Sequence, residues 1–212
     1  MNMMIRPILP YYSSITQADG FTVVSMLLLL IGAVFAAFCI AMYAANGQQG
    51  EKRKTVLLFM GITVIVTVTM LCFFGCAAVT VRGIILCLIL LYSSYSDIRI
   101  RECSDYLHLM IVIAAFIGCK ATELPAMILG GVLVGAVMLV PLLTGNRTLG
   151  GADIKCSAAC AFLLGLKRGL IGLTAGLLLA VIINSIKNRK KKDKSFPLLP
   201  YLSVGFTAAY FI

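Results

Sequence analysis

Residues 21–43 read FTVVSMLLLLIGAVFAAFCIAMY, twenty-three positions without a charged side chain. About 20 apolar residues at a rise of 1.5 Å each cross the hydrocarbon layer of a bilayer, so this stretch is long enough to span one. The pattern recurs outward along the chain. Residues 56–79 form a second full-length run, and 83–96, 107–119, 125–143, 150–166, 169–186 and 196–212 supply the rest, with 83–96 and 107–119 short. Of the 212 residues, 61% are hydrophobic and only 12% charged, and mean hydropathy is +1.03. A soluble domain carries about a quarter charged residues. The sequence therefore predicts an all-α, polytopic integral membrane bundle of about eight transmembrane helices. Disorder, a disulfide-stapled secreted module and a soluble nucleic-acid binder are disfavoured.

The formal net charge of +10 sits in short Lys and Arg clusters between the apolar runs. Such clusters mark the cytoplasmic side and its anionic lipids, so membrane lipids rather than nucleic acid are the expected partners. With the N-terminus outside, thirteen of the eighteen basic residues fall on inside loops and five outside. The positive-inside rule selects that orientation for a multi-pass protein of the cytoplasmic membrane. Only Arg6 is basic before the first run and Asp19 lies just ahead of it, which does not read as a cleaved signal peptide.

Few residues carry chemistry. The eight cysteines contain no CxxC pair. Cys72/Cys76 and Cys156/Cys160 share helix faces, yet two thiols without further ligands make a poor zinc site, so the cysteines read as packing residues. His108 is the only histidine and reads as interfacial packing, without a metal role. Ser93, Ser94 and Ser96 have no general base near them in sequence.

The acidic residues divide more sharply. Asp19, Glu51, Glu123 and Asp193 read as solvated, whereas Asp97, Glu102 and Asp105 crowd the connection 96–105 and Asp153 lies in LGGADIK, residues 149–155. A carboxylate at the end of a membrane helix costs several kcal/mol if it faces lipid unpaired, so it turns toward a polar interior. Should the helices carrying Asp97 and Asp153 pack together, their carboxyls would share one proton near neutral pH. One ionised and one protonated carboxyl can activate water and polarise a carbonyl. Gly150 and Gly151 would let the backbone turn tightly and a substrate strand approach. Equally open on spacing alone is a plain loop, with Asp153 as a helix N-cap and Asp97 paired to Arg99 or Arg101.

At these residues the sequence resembles the type IV prepilin peptidase family, a group of prepilin and preflagellin leader peptidases. A family pattern D-L-R-x-x-x-I-P-N-x-L is matched by Asp97, Arg99 and Leu107, with Cys103-Ser104-Asp105 in place of Ile-Pro-Asn. A second pattern, G-x-G-D-x-K, is matched by Gly150, Asp153 and Lys155, with Ala152 where glycine is common. A basic loop, 187–194, then leads into an apolar segment opening with Pro197 and Pro200, similar to the family's last helix. The likeness spans about 81–212 as a six-helix peptidase-like core, leaving 1–80 as an extension with two spans.

The resemblance implies an aspartic endopeptidase with Asp97 and Asp153 as the catalytic pair. Gly150, Gly151, Lys155 and Arg99 would support the pair or meet substrate, Lys155 by stabilising the Asp153 carboxylate. It also implies prepilin or pseudopilin substrates, cut at the cytoplasmic face ahead of pilus or secretion-system assembly, with no metal or organic cofactor. Asp105 adds a third carboxyl able to perturb the pair. The loop 44–55 is short and lacks cysteine, so the methyltransferase activity of larger members is not carried over. The alternatives are a proton-coupled transporter using the same aspartates as a relay, and a scaffold subunit in which neither matters.

Overall fold

The computed structural model describes residues 20–45, 52–101, 103–143, 150–187 and 197–212, and these are helical and without strands. Eight α-helices follow in order among them: α1 (Gly20–Ala44), α2 (Lys52–Phe74), α3 (Ala78–Arg99), α4 (Asp105–Ala115), α5 (Leu124–Leu143), α6 (Gly151–Leu164), α7 (Leu166–Lys187) and α8 (Leu199–Tyr210). A 3₁₀ turn, Ala121–Glu123, leads into α5. Glu102 and the basic run from Arg189 onward lie outside the described residues.

Five helices are long and apolar enough to cross a membrane: Gly20–Ala44, Lys52–Phe74, Ala78–Arg99, Ala121–Pro141 and Leu166–Ile186. The expectation of eight spans is not met by length. Helices α4, α6 and α8 have 11, 14 and 12 residues. At 1.5 Å per residue they reach about 17, 21 and 18 Å, short of the roughly 30 Å of a hydrocarbon core. The segment read as short at 83–96 is instead part of the 22-residue α3. Which loops face inside therefore rests on the charge pattern alone.

The chain divides into two compact units, residues 1–84 and 85–212. In the first, α1 packs on α2. Ala33, Ala37 and Ala41 are buried on α1 at four-residue spacing, opposite a buried series of Thr55, Phe59, Thr63 and Thr67 on α2. Four-residue spacing places each set on one face, and alanine lets the backbones come close without side-chain ridges. The outer faces, such as Leu28, Ile31, Phe35, Leu57 and Ile65, are exposed aliphatic and aromatic side chains suited to lipid.

In the second unit α6 is the hub, packing against α4, α5, α7 and α8. Buried Ile111, Leu163, Leu199, Leu202 and Phe206 fill the space between them. Glycines set the tightest approaches. A Cβ on Gly130 would sit 2.8 Å from the Ala161 carbonyl oxygen, so only glycine lets α5 meet α6 there. Along α7, Gly172 and Gly176 face Phe206 and Leu202 of α8, while a Cβ on Gly205 would run into the Gly172 and Gly176 backbone. The GxxxG spacing of Gly172 and Gly176 thus serves packing within the chain. Helix α3 touches α8 through a 2.7 Å hydrogen bond between the Ser94 and Ser203 hydroxyls.

Candidate active site

Asp97 lies in the last turn of α3, and the way that helix ends decides what surrounds it. The Ile100 and Arg101 N–H groups both donate to the Ser96 carbonyl, at 2.8 and 3.2 Å. Arg101 takes a left-handed backbone, φ 58°, in the place where helices usually end on glycine. The reversal brings Arg101 within electrostatic reach of Asp97. Arg99 is exposed, with its guanidinium 5.7 Å from the centre of the Tyr95 ring. Of the two arginines weighed as partners of Asp97, Arg101 is the one whose charge acts on that carboxyl. Sequence offered both arginines but not the choice between them, because a left-handed arginine looks like any other.

A distant segment also reaches this carboxyl. The Leu199 N–H, first in α8, donates to Asp97 Oδ2 at 3.3 Å. The first N–H groups of a helix have no partner within it, and a carboxylate is their natural acceptor. The proline-opened segment 197–200, noticed only as a family likeness, therefore has a physical function: it starts α8 where Asp97 can cap it.

Asp153 stands in the first turn of α6, outside the five membrane-length helices. The Gly150 N–H donates to Asp153 Oδ2 at 3.3 Å, and the Asp153 N–H donates to the Gly150 carbonyl at 3.1 Å. This is N-terminal capping of the kind left open above. Gly150 itself has φ −76°, a conformation open to any residue, so the expected glycine-only turn is absent there. At Gly151 a Cβ would meet nothing within 4 Å, so packing does not require glycine there either.

Burial, then the negative charge of Asp97, push the Asp153 carboxyl up to about 6. The two acids thus lie within electrostatic reach of each other, although far apart in sequence. Between them sits Cys103, whose thiol feels both carboxylates and is pushed up to about 11, mainly by burial. A thiol held there stays protonated at neutral pH and is a poor nucleophile. Sequence reading passed over this residue as a substitute for isoleucine. The nearby Cys156 and His108 resemble a thiol–imidazole couple, but a hydrogen bond with Cys160 and full burial hold the Cys156 thiol protonated. Among the described residues no group of three or more His, Cys, Asp and Glu is arranged to hold a metal ion.

Lys155 does not serve Asp153. Its Nζ donates to Asp105 Oδ1 at 2.8 Å, and that ion pair pulls the exposed Asp105 carboxyl below its ordinary range. The third carboxyl expected to disturb the acid pair is instead neutralised. The contact also ties the start of α4 to the first turns of α6, next to the two aspartates.

Residues 84–185 match the type IV leader peptidase family. Through this segment the chain is similar to that family. The match contains Asp97, Arg99, Gly150, Asp153 and Lys155 and lies almost wholly in the second compact unit. It stops short of the proline-opened α8, so the likeness is shorter than the 81–212 expected. No curated protein and no solved structure matches the chain. Likeness to a peptidase family, on apolar helices of membrane length, supports a membrane protease and does not favour a transporter.

Proposed function

We propose that the protein is an aspartic leader peptidase that cuts prepilin-like substrates at the cytoplasmic face of the membrane, with Asp97 and Asp153 as its catalytic pair. The observation that carries this reading is the electrostatic contact between two carboxyls brought from separate motifs inside the family segment. Two neighbouring carboxyls ionise in sequence rather than together, so the pair holds one proton in a window below about pH 6.

With one proton shared, the chemistry is direct. The ionised carboxylate takes a proton from water as its oxygen attacks the scissile carbonyl carbon. The protonated partner donates its proton to the carbonyl oxygen, giving a neutral gem-diol. Collapse returns a proton to the leaving amine, the C–N bond breaks, and the pair ends with the single proton it began with. Leu199 holds Asp97 from one side and Gly150 holds Asp153 from the other, which fixes the two groups before substrate arrives. The basic clusters support a position for this end of the bundle at the inner leaflet.

The test is co-expression with a prepilin-like protein having a basic leader and an apolar helix, read by loss of the leader. Wild type is expected to remove it, and Asp97→Asn and Asp153→Asn are each expected to leave it intact. Cleavage that persists in either variant would overturn the acid-pair mechanism.

A further inference from the structure

Each of the two acids has a serine one turn behind it. Ser93 precedes Asp97 by four positions on α3, and Ser157 follows Asp153 by four on α6. Side chains four apart share a helix face, with Cβ atoms about 5–6 Å apart. Asp97 is in the last turn of its helix and Asp153 in the first turn of its own, so both serines lie inward of the helix ends. One thiol links the two places. Cys103 meets the Ser93 hydroxyl and is within electrostatic reach of Asp97, Asp153 and Cys156, the neighbour of Ser157 on α6.

Ser93 and Ser157 are both 0% exposed. A serine buried in a helix can satisfy its hydroxyl by donating to the carbonyl four positions earlier. Ser94 does so to Leu90 at 2.7 Å, and Ser203 to Leu199 at 2.8 Å. Ser93 and Ser157 do not. Among the described residues the Ser157 hydroxyl makes no hydrogen bond, and Ser93 has beside it a thiol, which is a weak partner. A buried hydroxyl left unsatisfied costs stability that alanine would not. Full burial keeps peptide and lipid away from both groups and leaves a ligand the size of water. A buried water makes about three hydrogen bonds to polar groups otherwise unpaired. The two hydroxyls supply two of them, and a carboxyl one turn away supplies the third. Each aspartate uses Oδ2 at a helix end, Asp97 for Leu199 and Asp153 for Gly150, so a water further in would be met by Oδ1.

We infer that Ser93 and Ser157 are positioning residues that together hold one buried water beneath the acid pair, a water distinct from the one consumed in hydrolysis. Its effect on rate rests on the protease function proposed above; its effect on the carboxyls does not. The serine hydroxyls hold the water, and the water donates to the carboxyls. A hydrogen bond donated to an ionised carboxyl favours the ionised form. The water therefore opposes burial and the Asp97 charge, which push the Asp153 carboxyl up. The other groups acting on the two acids are Arg101, at the end of α3, and the Cys103 thiol, and neither is altered by substituting the serines.

Infrared titration of the full chain follows the C=O stretch of the protonated carboxyl, assigned to Asp153 by its loss in Asp153→Asn. The wild-type midpoint is expected near 6. Ser93→Ala and Ser157→Ala are each expected to raise it by about one pH unit. The double variant should move it no further than either single one, because one water serves both hydroxyls. Leader removal from the co-expressed prepilin-like protein should fall about tenfold in kcat in each variant, with KM unchanged. Midpoints that stay at the wild-type value, whatever the Tm does, would overturn the inference, and so would shifts that add in the double variant. Wild-type cleavage with unshifted midpoints removes the water and leaves the protease. Shifted, non-additive midpoints in a protein that cleaves nothing remove the protease and leave the water.

Discussion

Residues 20–84 and residues 85–212 meet an apolar solvent in opposite ways. The first unit uses two helices of 25 and 23 residues, joined along a face of alanine and threonine. The second sets short helices, α4, α6 and α8, among its long ones, and these leave helix ends against their neighbours. Helix ends carry unpaired N–H groups, and these draw carboxylates to them: Leu199 holds Asp97 and Gly150 holds Asp153. Full-length helices make a surface for lipid; interrupted ones make places for chemistry.

Substitutions should divide along the same line. The largest effect is expected at the acids, where Asp97→Asn or Asp153→Asn lowers the rate of leader removal by about a thousandfold or more, as loss of a positioned acid or base does. The protein should still accumulate in membranes. A comparable loss from a substitution in α1 would break the division between the units.

Next is Gly205→Ala. The added methyl would occupy space filled by the α7 backbone at Gly172 and Gly176, so α8 must move away. The expected loss is about 3 kcal/mol, at the upper end for overpacking, with a lower Tm in detergent. Activity should fall with it, because the same shift withdraws Leu199 from Asp97. In the first unit, Ala37→Leu fills the interface of α1 with α2 and is expected to cost about 2 kcal/mol. Its cleavage rate per folded molecule should stay at the wild-type level.

Asp153→Asn carries a further prediction of opposite sign. A carboxyl raised from 3.8 to about 6 favours the protonated form in the folded state. Its ionisation therefore destabilises the fold increasingly as pH rises from about 4 through 6, and fully above that. The shift corresponds to about 3 kcal/mol, reduced to roughly 1–2 by solvent at this half-buried site. Asparagine never ionises and still accepts from Gly150. The variant should thus melt higher than wild type at pH 7.5, with the gain vanishing near pH 4. Inactivity with a higher Tm is the pattern of a strained functional acid, and a lower Tm at pH 7.5 would mark Asp153 as a plain cap.

Much of this was legible in advance. The apolar runs located every helix, since membrane burial of the backbone leaves little choice but helix. Asp97 and Asp153 stood out because charge is rare in such a chain. Helix length was less legible: apolar composition continues past Ala115 and Tyr210, so hydropathy alone reads runs longer than the helices. Local partners were least legible. Lys155 looked closest to Asp153 in sequence, but side chains two positions apart on a helix point to different faces, and α4 brings Asp105 to it. Arg101 comes to Asp97 through a backbone reversal that has no sequence signature. Cys103 reached the acids only because the chain between α3 and α4 folds back.

The Lys155–Asp105 pair should give the smallest effect. Both side chains are largely exposed, at 57% and 74%, and exposed pairs contribute little to stability. Asp105→Asn is expected to leave Tm within experimental error and cleavage within about twofold of wild type at moderate salt. Asp105 is ionised far below neutral pH, so whatever the pair contributes is present above about pH 4 and fades only as pH falls through its depressed value. Activity profiles of Asp105→Asn and wild type should therefore coincide from pH 5 to 8. The profile near 6 belongs to the acid pair, and a displacement of it by Asp105→Asn would make this third carboxyl a member of the pair's electrostatic circle rather than a latch beside it.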